Sequence, residues 1–277
     1  MSKYLSVACL QYASKIKEEK TLKEIIPLIN KAVNQGNRLI TLPECATSIQ
    51  KNAVITKKFA TTERNNISLQ TLKEVAKTNS IYILIGSLPI KNRYKLSNRS
   101  FLIGPNGKIL YRYDKIHLFD VVLPNGSIFR ESQTYKQGSK AIIATLKEIC
   151  DVKIGLTICY DLRFPYLYRD LASNGAQIIT IPSAFSSFTG PLHWNILLRT
   201  RAIETGCFIL APAQTGVHEC GRASFGHSLI VSPWGKVIAD AGKKTGFISA
   251  KINLNEVKNA RQSIPSLNST RLYSTNF

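Results

Sequence analysis

Three reactive side chains each follow a stretch of sequence that is typical of a buried strand. The longest of these stretches, Val152 to Ile158, is rich in β-branched and other apolar residues and ends at Cys159. Glu44 follows a second predicted strand, and Lys115 follows a third. Because α/β sheets usually carry their chemistry at the ends of strands, we expect these three side chains to be functional.

The three side chains are suited to nucleophilic catalysis. A cysteine attacks as the thiolate, so Cys159 needs a base to take its proton and a cation to stabilise the anion. Glu44 can be that base, and Lys115 can stabilise first the thiolate and then the negative oxygen of a tetrahedral intermediate. A helix predicted from Phe164 to Ala172 would place its N-terminus beside the sulfur and would also favour the thiolate.

Each of these residues also has a structural interpretation. Free cysteine is among the most buried residue types, so Cys159 could be a core residue. Glu44 could cap a helix, and Lys115 could be a surface lysine. A cysteine–histidine hydrolase is the mechanistic alternative, because four histidines are available: His117, His193, His218 and His227. That alternative leaves the glutamate and the lysine without a role.

The elements that must position these residues alternate between strands and helices. Tyr4 to Leu10 is a predicted strand, and Thr21 to Val33 is a predicted helix that stops at Gly36. Arg38 to Leu42 is the next strand, so this part of the chain is a βαβ unit. Further predicted helices are Leu69 to Thr78, Phe164 to Ser173 and Leu192 to Thr205. Further predicted strands are Ile81 to Leu88, Ser100 to Gly104, Lys108 to Tyr113, Ala141 to Leu146, Gln177 to Ile181, Cys207 to Ala213, Ser224 to Val231 and Gly246 to Ile252.

Turns, one long loop and one helix stripe add detail. Pro105-Asn106-Gly107 is the strongest hairpin signal, and Trp234-Gly235-Lys236 is a second turn between two strands. Pro124 to Gly138 is polar and longer than a simple connector needs to be, so we predict a loop there. The last predicted helix has Arg201 on its charged side and an apolar stripe of Leu197, Leu198, Ala202 and Ile203. No internal repeat at a fixed period is evident.

Composition is typical of an α/β protein of a reducing compartment. A chain of 277 residues can bury a substantial core, and no linker divides it, so we predict a single domain over residues 1–277. The six cysteines form no Cys-x-x-Cys pair, which predicts neither a zinc site nor a disulfide framework: Cys9, Cys45, Cys150, Cys159, Cys207 and Cys220. No secretory signal and no membrane span is evident, so we expect a cytoplasmic location.

A formal net charge of +20 is the unusual bulk property. Such a charge is typical of proteins that bind nucleic acid, anionic membranes or anionic substrates. The basic residues are spread along the whole chain, however, and no block of like charges forms a nucleic-acid-binding arm. We therefore expect no nucleic-acid or membrane partner. A basic nucleic-acid-binding protein and a catalytically inactive scaffold remain the non-enzyme alternatives.

Four motifs resemble the nitrilase superfamily of carbon–nitrogen hydrolases, in the order in which that family carries them. They are Leu-Pro-Glu44-Cys-Ala, Tyr-Asp-Lys115-Ile-His-Leu-Phe-Asp, Gly-Leu-Thr-Ile-Cys159-Tyr-Asp-Leu-Arg-Phe-Pro and Gly-His227-Ser-Leu-Ile-Val-Ser-Pro-Trp234-Gly. The resemblance implies an α-β-β-α four-layer sandwich with pseudo-twofold symmetry, assembled as a homodimer or higher homo-oligomer. It also implies that neither a metal nor an organic cofactor is needed.

The same resemblance implies catalytic roles. The family's Glu-Lys-Cys triad matches Glu44, Lys115 and Cys159, and its second, substrate-orienting glutamate matches Glu131 in the long loop. The implied reaction is amide hydrolysis through a thioester, with Lys115 and the backbone N–H of Tyr160 holding the oxyanion.

Further motifs are most similar to the Nit1-type branch of the family, which hydrolyses deaminated glutathione to 2-oxoglutarate and cysteinylglycine. These motifs are Pro182-Ser-Ala-Phe185, Thr189-Gly-Pro-Leu-His193-Trp, Arg201-Ala-Ile-Glu-Thr205, Ala213-Gln-Thr-Gly216 and Gly221-Arg222-Ala-Ser. The related omega-amidase branch, which acts on 2-oxoglutaramate, is the first alternative. Other family amidases and N-carbamoyl hydrolases are further alternatives.

Both of these substrates are anionic 2-oxo acids. Arg163 is the first candidate to bind the substrate carboxylate, because a guanidinium pairs with a carboxylate in bidentate fashion, and Arg222 is the second. A structural salt bridge is the alternative role for either arginine. The other predicted substrate contacts are Tyr160, Phe185, Thr189 and His193.

Overall fold

The computed structural model describes residues 4–124, 126–149 and 151–269, together with Arg271 and Ser274, so that Cys150 lies outside the described residues. In chain order the strands are β1 (Tyr4–Gln11), β2 (Leu39–Thr41), β3 (Tyr82–Lys91), β4 (Leu96–Ile103), β5 (Ile109–Asp114), β6 (Asp120–Val122), β7 (Ile128–Arg130), β8 (Ile142–Leu146), β9 (Val152–Leu156), β10 (Ile178–Thr180), β11 (Phe208–Ala211), β12 (Thr215–Val217), β13 (Ala223–Phe225), β14 (Leu229–Val231), β15 (Val237–Asp240) and β16 (Gly246–Asn253). The α-helices are α1 (Glu18–Asn34), α2 (Ala53–Phe59), α3 (Ile67–Asn79), α4 (Pro165–Ser173), α5 (Gly190–Thr205) and α6 (Asn255–Ser263). Short 3₁₀ helices cover Glu63–Asn65, Glu131–Gln133, Cys159–Arg163 and Ser266–Asn268.

Two six-stranded sheets in the described part of the chain share one pairing pattern. The first has the order β16-β1-β2-β3-β4-β5, and the second has the order β8-β9-β10-β11-β14-β15. In each sheet the second, third and fourth strands are parallel to one another, and the remaining pairs are antiparallel. The two halves are therefore related by pseudo-twofold symmetry, although the sequence shows no repeat.

Buried apolar side chains form a core on both faces of each sheet. One cluster lies between the two sheets and takes side chains from both, such as Leu84 and Leu156. A second cluster joins the first sheet to α1 and α3, and a third joins the second sheet to α4 and α5. Burial on both faces explains why the central parallel strands are almost continuously apolar. The expected α-β-β-α sandwich is confirmed.

Helix α1 shows how the sequence sets an element and its ends. Leu22, Ile25, Ile29 and Ala32 recur at helical spacing and are all buried. Two glutamates in the first turn favour the N-terminus, so the helix begins at Glu18, three residues earlier than the apolar spacing alone predicts. The chain leaves the helix through glycine 36, whose φ is +81°.

The predicted apolar stripe of α5 is wrong in part. Leu198 and Ala202 are buried with Trp194, but Ile203 is 55% exposed. Arg201, expected on the charged side, is only 4% exposed, because its guanidinium donates to Leu162 O at 3.0 Å and also pairs with a glutamate on the same helix. The long apolar stem of an arginine can line a core while its head finds polar partners, and residue type alone does not show this.

Two further predictions need correction. The strand predicted from Ser224 to Val231 is divided into β13 and β14, because Gly226 and His227 have positive φ angles of 80° and 55° that interrupt extended backbone. The loop predicted from Pro124 to Gly138 contains β7, which pairs with β6, and the 3₁₀ helix that begins at Glu131.

Candidate active site

Four side chains from separate segments line one cavity. Cys159 follows β9, and the other three follow different strands: Glu44 after β2, Lys115 after β5 and Glu131 after β7. Cys159 has a φ of +48° and opens a 3₁₀ helix, and its N–H donates to Pro182 O at 3.0 Å. This left-handed turn at the end of a buried strand places the sulfur in the cavity wall.

Lys115 lies between two carboxylates. Its Nζ is 2.8 Å from Glu44 Oε1 and 2.9 Å from Glu131 Oε2. Asn98 on β4 joins the same carboxylates, because its Nδ2 donates to Glu44 at 3.1 Å and to Glu131 at 2.9 Å. Sequence reasoning does not find Asn98. Asn98 is one of four consecutive polar residues in the first part of β4, and nothing in that run distinguishes it from its neighbours.

Backbone N–H groups also donate to both carboxylates. The N–H of Ala184 donates to Glu44 Oε2 at 2.9 Å, and the N–H of Phe119 donates to Glu131 Oε2 at 2.7 Å. Each carboxylate thus accepts from an ammonium, an amide and a backbone N–H. Buried charges are tolerated only when they are paired and hydrogen-bonded in this way.

Burial and mutual charge set the protonation of the cluster. Burial opposes ionisation of Glu44, but the ammonium of Lys115 holds the pKa of that carboxyl below its usual value. Burial likewise opposes the charge on Lys115, but Glu131 and Glu44 raise the pKa of its ammonium well above the usual value. Glu44 is therefore a carboxylate and Lys115 an ammonium at neutral pH.

Cys159 responds differently to the same surroundings. Burial first, and then the negative charge of Glu44, raise the pKa of its thiol well above the ordinary value, although Lys115 opposes the shift. The predicted helix is present as α4, which begins at Pro165 after the 3₁₀ helix, but burial and Glu44 raise the pKa of the thiol where the sequence predicted a stabilised thiolate. The resting cysteine is a neutral thiol hydrogen-bonded with Glu44, so its proton must leave during the attack.

The cavity has a volume of about 1210 Å³ and also contains most of the predicted substrate contacts. Those in its wall are Tyr160, Arg163, Phe185, Thr189 and Arg222. His193 does not line it, and its Nδ1 lies 3.1 Å from Arg163 Nη2 instead. Pockets for drug-sized ligands span about 300–1,000 Å³, so this cavity has room for a ligand larger than a simple amide.

Arg163 is held by aromatic rings and not by a carboxylate. Its guanidinium carbon lies 5.7 Å from the centre of the Phe185 ring and 6.0 Å from that of Tyr160. Within the described residues neither Arg163 nor Arg222 forms a salt bridge with an aspartate or glutamate. The structural salt bridge is therefore not the role seen here, and both guanidinium groups remain open to an anionic ligand.

Each of the four histidines is hydrogen-bonded with a residue other than Cys159, and none of them lines the cavity. The partners are Asp161 for His117, Arg163 for His193, Ser224 for His218 and Asp240 for His227. A general base must come within hydrogen-bonding reach of the thiol. The geometry therefore favours Glu44 over a cysteine–histidine arrangement.

Two features are absent from the part of the chain that the structure describes. No group of three or more histidine, cysteine, aspartate or glutamate side chains is placed to hold a metal ion. No helix is both long and apolar enough to cross a membrane.

Comparison with known sequences agrees with this geometry. The family model described as carbon-nitrogen hydrolase matches residues 6–262. The deaminated glutathione amidase of Synechocystis sp. (strain PCC 6803 / GT-S) is 41% identical over 274 residues, which cover 96% of this chain and 98% of that protein. Omega-amidase NIT2 of Pongo abelii is 36% identical over 240 residues, which cover 86% of this chain and 84% of that protein.

Solved structures with the same fold include two proteins of nematode and yeast. The C. elegans NitFhit protein matches with a TM-score of 0.90 at 32% identity, covering 97% of this chain and 65% of that one. This chain thus spans less than two thirds of the NitFhit protein. Saccharomyces cerevisiae Nit3, a member of branch 10 of the nitrilase superfamily, matches with a TM-score of 0.85 at 28% identity, covering 96% of each chain.

Proposed function

The chain belongs to the carbon-nitrogen hydrolase family, and we propose that it is a cysteine-dependent amidase that works through a thioester. Cys159 is the nucleophile, Glu44 the general base and Lys115 the main charge on the oxyanion. One observation carries the proposal. Glu44 is hydrogen-bonded with both Cys159 and Lys115 in the wall of a single cavity, although the three residues come from separate strands.

In the first stage the amide is cleaved and the enzyme is acylated. The sulfur of Cys159 bonds to the amide carbon while its proton passes to Glu44, and the carbonyl oxygen becomes an oxyanion. Lys115 Nζ and the Tyr160 N–H stabilise that oxyanion, and within the described residues this N–H has no other hydrogen-bond acceptor. Glu44 then gives its proton to the leaving nitrogen as the carbon–nitrogen bond breaks.

In the second stage water releases the acyl group. Glu44 takes a proton from a water molecule, whose oxygen attacks the thioester carbon, and the same two donors stabilise the second oxyanion. The carbon–sulfur bond breaks and the proton returns to the sulfur of Cys159. Glu131 Oε2 lies 2.9 Å from the Lys115 ammonium, where it fixes that group and orients the substrate.

The substrate that we propose is deaminated glutathione, cleaved to 2-oxoglutarate and cysteinylglycine. A relative with that activity in its name is 41% identical over nearly its full length, and a cavity of about 1210 Å³ has room for a peptide leaving group. The alternative is 2-oxoglutaramate, because omega-amidase NIT2 of Pongo abelii is 36% identical. Both substrates would form the same thioester, so only the leaving-group side of the site can discriminate between them.

Arg163 is the residue that we propose for binding the substrate carboxylate. The rings of Tyr160 and Phe185 hold its guanidinium, and no carboxylate of the described chain neutralises it. His193 acts on the substrate only through Arg163. Arg222 is exposed in the cavity wall and is the second candidate. Thr189 completes the wall beside Phe185.

A panel of substrates tests both the reaction and the substrate. Purified protein is assayed with deaminated glutathione, 2-oxoglutaramate, a simple nitrile and an N-carbamoyl amino acid. We expect kcat/KM for deaminated glutathione to exceed that for 2-oxoglutaramate by about 10⁴, because a site built to pair polar groups rejects a ligand that lacks them. Equal or reversed kcat/KM values for the two amides would show that deaminated glutathione is not the preferred substrate. Binding of nucleic acid without hydrolysis of any compound would overturn the amidase itself.

We also propose a homodimer that forms through α5. Leu192, Ile196 and Ile203 lie on one face of this helix and are more than half exposed, and Trp234 beside them is 51% exposed. The turn at Trp234 is fixed against α5 because Arg199 Nε on that helix donates to Gly235 O at 2.8 Å. Such a row of large apolar side chains is typical of an interface. Ile196→Glu should shift the sedimenting species to monomer, whereas Val54→Glu on the exposed surface of α2 should not.

Two further proposals concern the whole chain. The cysteines that the structure describes, Cys9, Cys45, Cys159, Cys207 and Cys220, are free thiols, which supports a reducing, cytoplasmic location that cell fractionation can test. The core between the sheets takes side chains from both halves, which supports a single domain over residues 1–277. A single unfolding transition, coincident by fluorescence and circular dichroism, is expected for such a domain.

A further inference from the structure

Gln214 is a fully buried polar side chain that the mechanism above does not use. It follows β11 and lies within Ala213-Gln-Thr-Gly216. Its Nε2 donates to Glu44 O at 2.9 Å, to Cys45 O at 3.2 Å and to Ser14 Oγ at 2.8 Å. Its Oε1 accepts from the N–H of Ser14 at 2.9 Å. Both ends of the amide are occupied, so its orientation is fixed.

The two carbonyls that Gln214 binds belong to an unusual turn. Cys45 has a φ of +54°, a left-handed conformation that is uncommon for residues other than glycine and persists only where the surroundings hold it. Ser87 accepts from the N–H of Cys45 at 3.0 Å, and Ser14 donates to its carbonyl at 2.9 Å. Because Glu44 immediately precedes this residue, the turn sets the direction of the Glu44 side chain.

The same part of the second half also holds the carboxylate of Glu44. The N–H of Gln214 donates to Ser183 O at 2.9 Å, so the segment that follows β10 is hydrogen-bonded to the segment that follows β11. Ala184, the residue after Ser183, donates its N–H to Glu44 Oε2 at 2.9 Å. These two hydrogen-bonded segments of the second half therefore contact both the backbone carbonyl and the carboxylate of Glu44.

We propose that Gln214 is a positioning residue for the general base, because it fixes the backbone of Glu44 so that the carboxylate reaches both Cys159 and Lys115. This inference rests on the proposed role of Glu44. Proton transfer requires a base within hydrogen-bonding distance, and small displacements of a catalytic group are costly in rate. A displaced Glu44 also loses the ammonium that keeps its pKa low, so that pKa would rise.

Gln11 offers a matched control at the end of β1. It is equally buried, its Nε2 donates to Gly242 O and to Lys244 O at 2.9 Å each, and its Oε1 accepts from the N–H of Ser228 at 2.7 Å. Gln11 therefore also joins the two halves through two carbonyls and one N–H, but none of its partners belongs to the Glu44 turn. Gln11→Met loses three side-chain hydrogen bonds, against four in Gln214→Met, and none of the three involves that turn.

The experiment compares Gln214→Met with Gln11→Met in two assays. In the first, we expect Gln214→Met to lower kcat by about 10² with little change in KM, and to move the acid limb of kcat/KM to higher pH. Gln11→Met should move neither. An unchanged acid limb in Gln214→Met, or the same shift in both variants, would overturn the positioning role. If Gln214→Met does not fold, Ser14→Ala should give a smaller shift in the same direction, and an unshifted limb there overturns it too.

The second assay needs no amide substrate. Iodoacetamide alkylates Cys159, and peptide mass spectrometry gives the rate at neutral pH, where attack depends on proton transfer to Glu44. We expect the rate to be at least about tenfold lower in Gln214→Met than in Gln11→Met. Equal rates would overturn the inference even if the protein is an amidase. A slower rate in a protein that hydrolyses no amide would instead overturn the proposed function and leave the positioning role standing.

Discussion

The two halves of the molecule have the same sheet topology but supply different kinds of group to the site. In the first half the strand ends carry charge, with Glu44 after β2 and Lys115 after β5. In the second half they carry neutral groups, such as the thiol of Cys159 after β9 and the backbone N–H of Ala184 after β10. Strands β2 and β10 occupy equivalent positions in their sheets. The fold thus determines where the strand ends lie, and the residues that follow them determine the chemistry.

This difference explains the charge state of the resting site. The first half buries the ion pair of Lys115 and Glu44, and Glu44 also accepts from Asn98 and from the N–H of Ala184, so the cost of removing the charges from water is offset. The second half places a thiol against that pair, and burial together with Glu44 keeps the thiol protonated. The negative charge therefore resides on Glu44 until a substrate carbon is available to the sulfur.

The largest effect should come from removing the proposed nucleophile, which lies in the second half. Cys159→Ala should fold normally and lower kcat by at least about 10⁴, because no other thiol is hydrogen-bonded with Glu44 in the described residues. Cys207→Ala, at a fully buried position in the core of the same half, should retain most of the activity. Steady-state kinetics on both variants checks this, and comparable losses in the two would contradict the assignment.

Removing the cation of the first half should cost less. Lys115→Met deletes the proposed charge partner of the oxyanion, and loss of one such donor typically lowers the rate by about 10²–10³. It also leaves two adjacent carboxylates without their cation, so urea unfolding should show a lower stability. Lys153→Met, at an exposed position on β9, is the control. A Lys115→Met enzyme as fast as this control would exclude an oxyanion role.

A smaller effect is expected when Arg163, which lies beside aromatic rings of the second half, is replaced. Arg163→Lys keeps the charge but loses the planar fork that binds a carboxylate in bidentate fashion, so KM should rise about tenfold while kcat changes less. Arg64→Lys, exposed and outside the cavity wall, should leave both unchanged. If KM stays the same in Arg163→Lys but rises in Arg222→Lys, the second candidate binds the carboxylate.

The smallest effect that we predict is a shift in the pH dependence of kcat/KM of the wild-type protein. Because Lys115 lowers the pKa of Glu44, the acid limb of kcat/KM should lie below the ordinary glutamate pKa of about 4.3. The lowered pKa of Glu44 also stabilises the fold. This stabilisation is present above the pKa of the unfolded state and is lost as pH falls through the pKa of the folded state. Folding is therefore measured in the same buffers, so that unfolding is not mistaken for the acid limb. Because the pKa of Cys159 is raised, no step should appear near the ordinary thiol value of about 8.5.

The comparison of the halves also shows what the sequence could and could not predict. The placement of Glu44, Lys115 and Cys159 after strands was predictable from local sequence patterns, and such patterns also predicted most strands and helices. Glu131 was predicted only through the family resemblance, since its position depends on the pairing of β6 with β7. Helix α2 has no buried residue and therefore no apolar periodicity to detect.

The long-range contacts of Glu44, both within its own half and with the other half, were beyond local reasoning. Asn98, Ala184 and Gln214 contact Glu44 from 54, 140 and 170 residues away in the chain. The neutral state of Cys159 was missed for a related reason, because its pKa depends on burial by both sheets and on a carboxylate from the other half. A local pattern indicates which side chain ends a strand, but not which groups the partner sheet brings to it.

The most direct test of the account is to trap the acyl-enzyme. Wild-type protein turning over deaminated glutathione is quenched in acid, digested and examined by peptide mass spectrometry. The account predicts one 2-oxoglutaryl group on the peptide that contains Cys159, and the same adduct when 2-oxoglutaramate is the substrate, since the two amides share their acyl half. An adduct on another residue, or a Cys159 peptide that stays unmodified while acylation outpaces deacylation, would contradict the account.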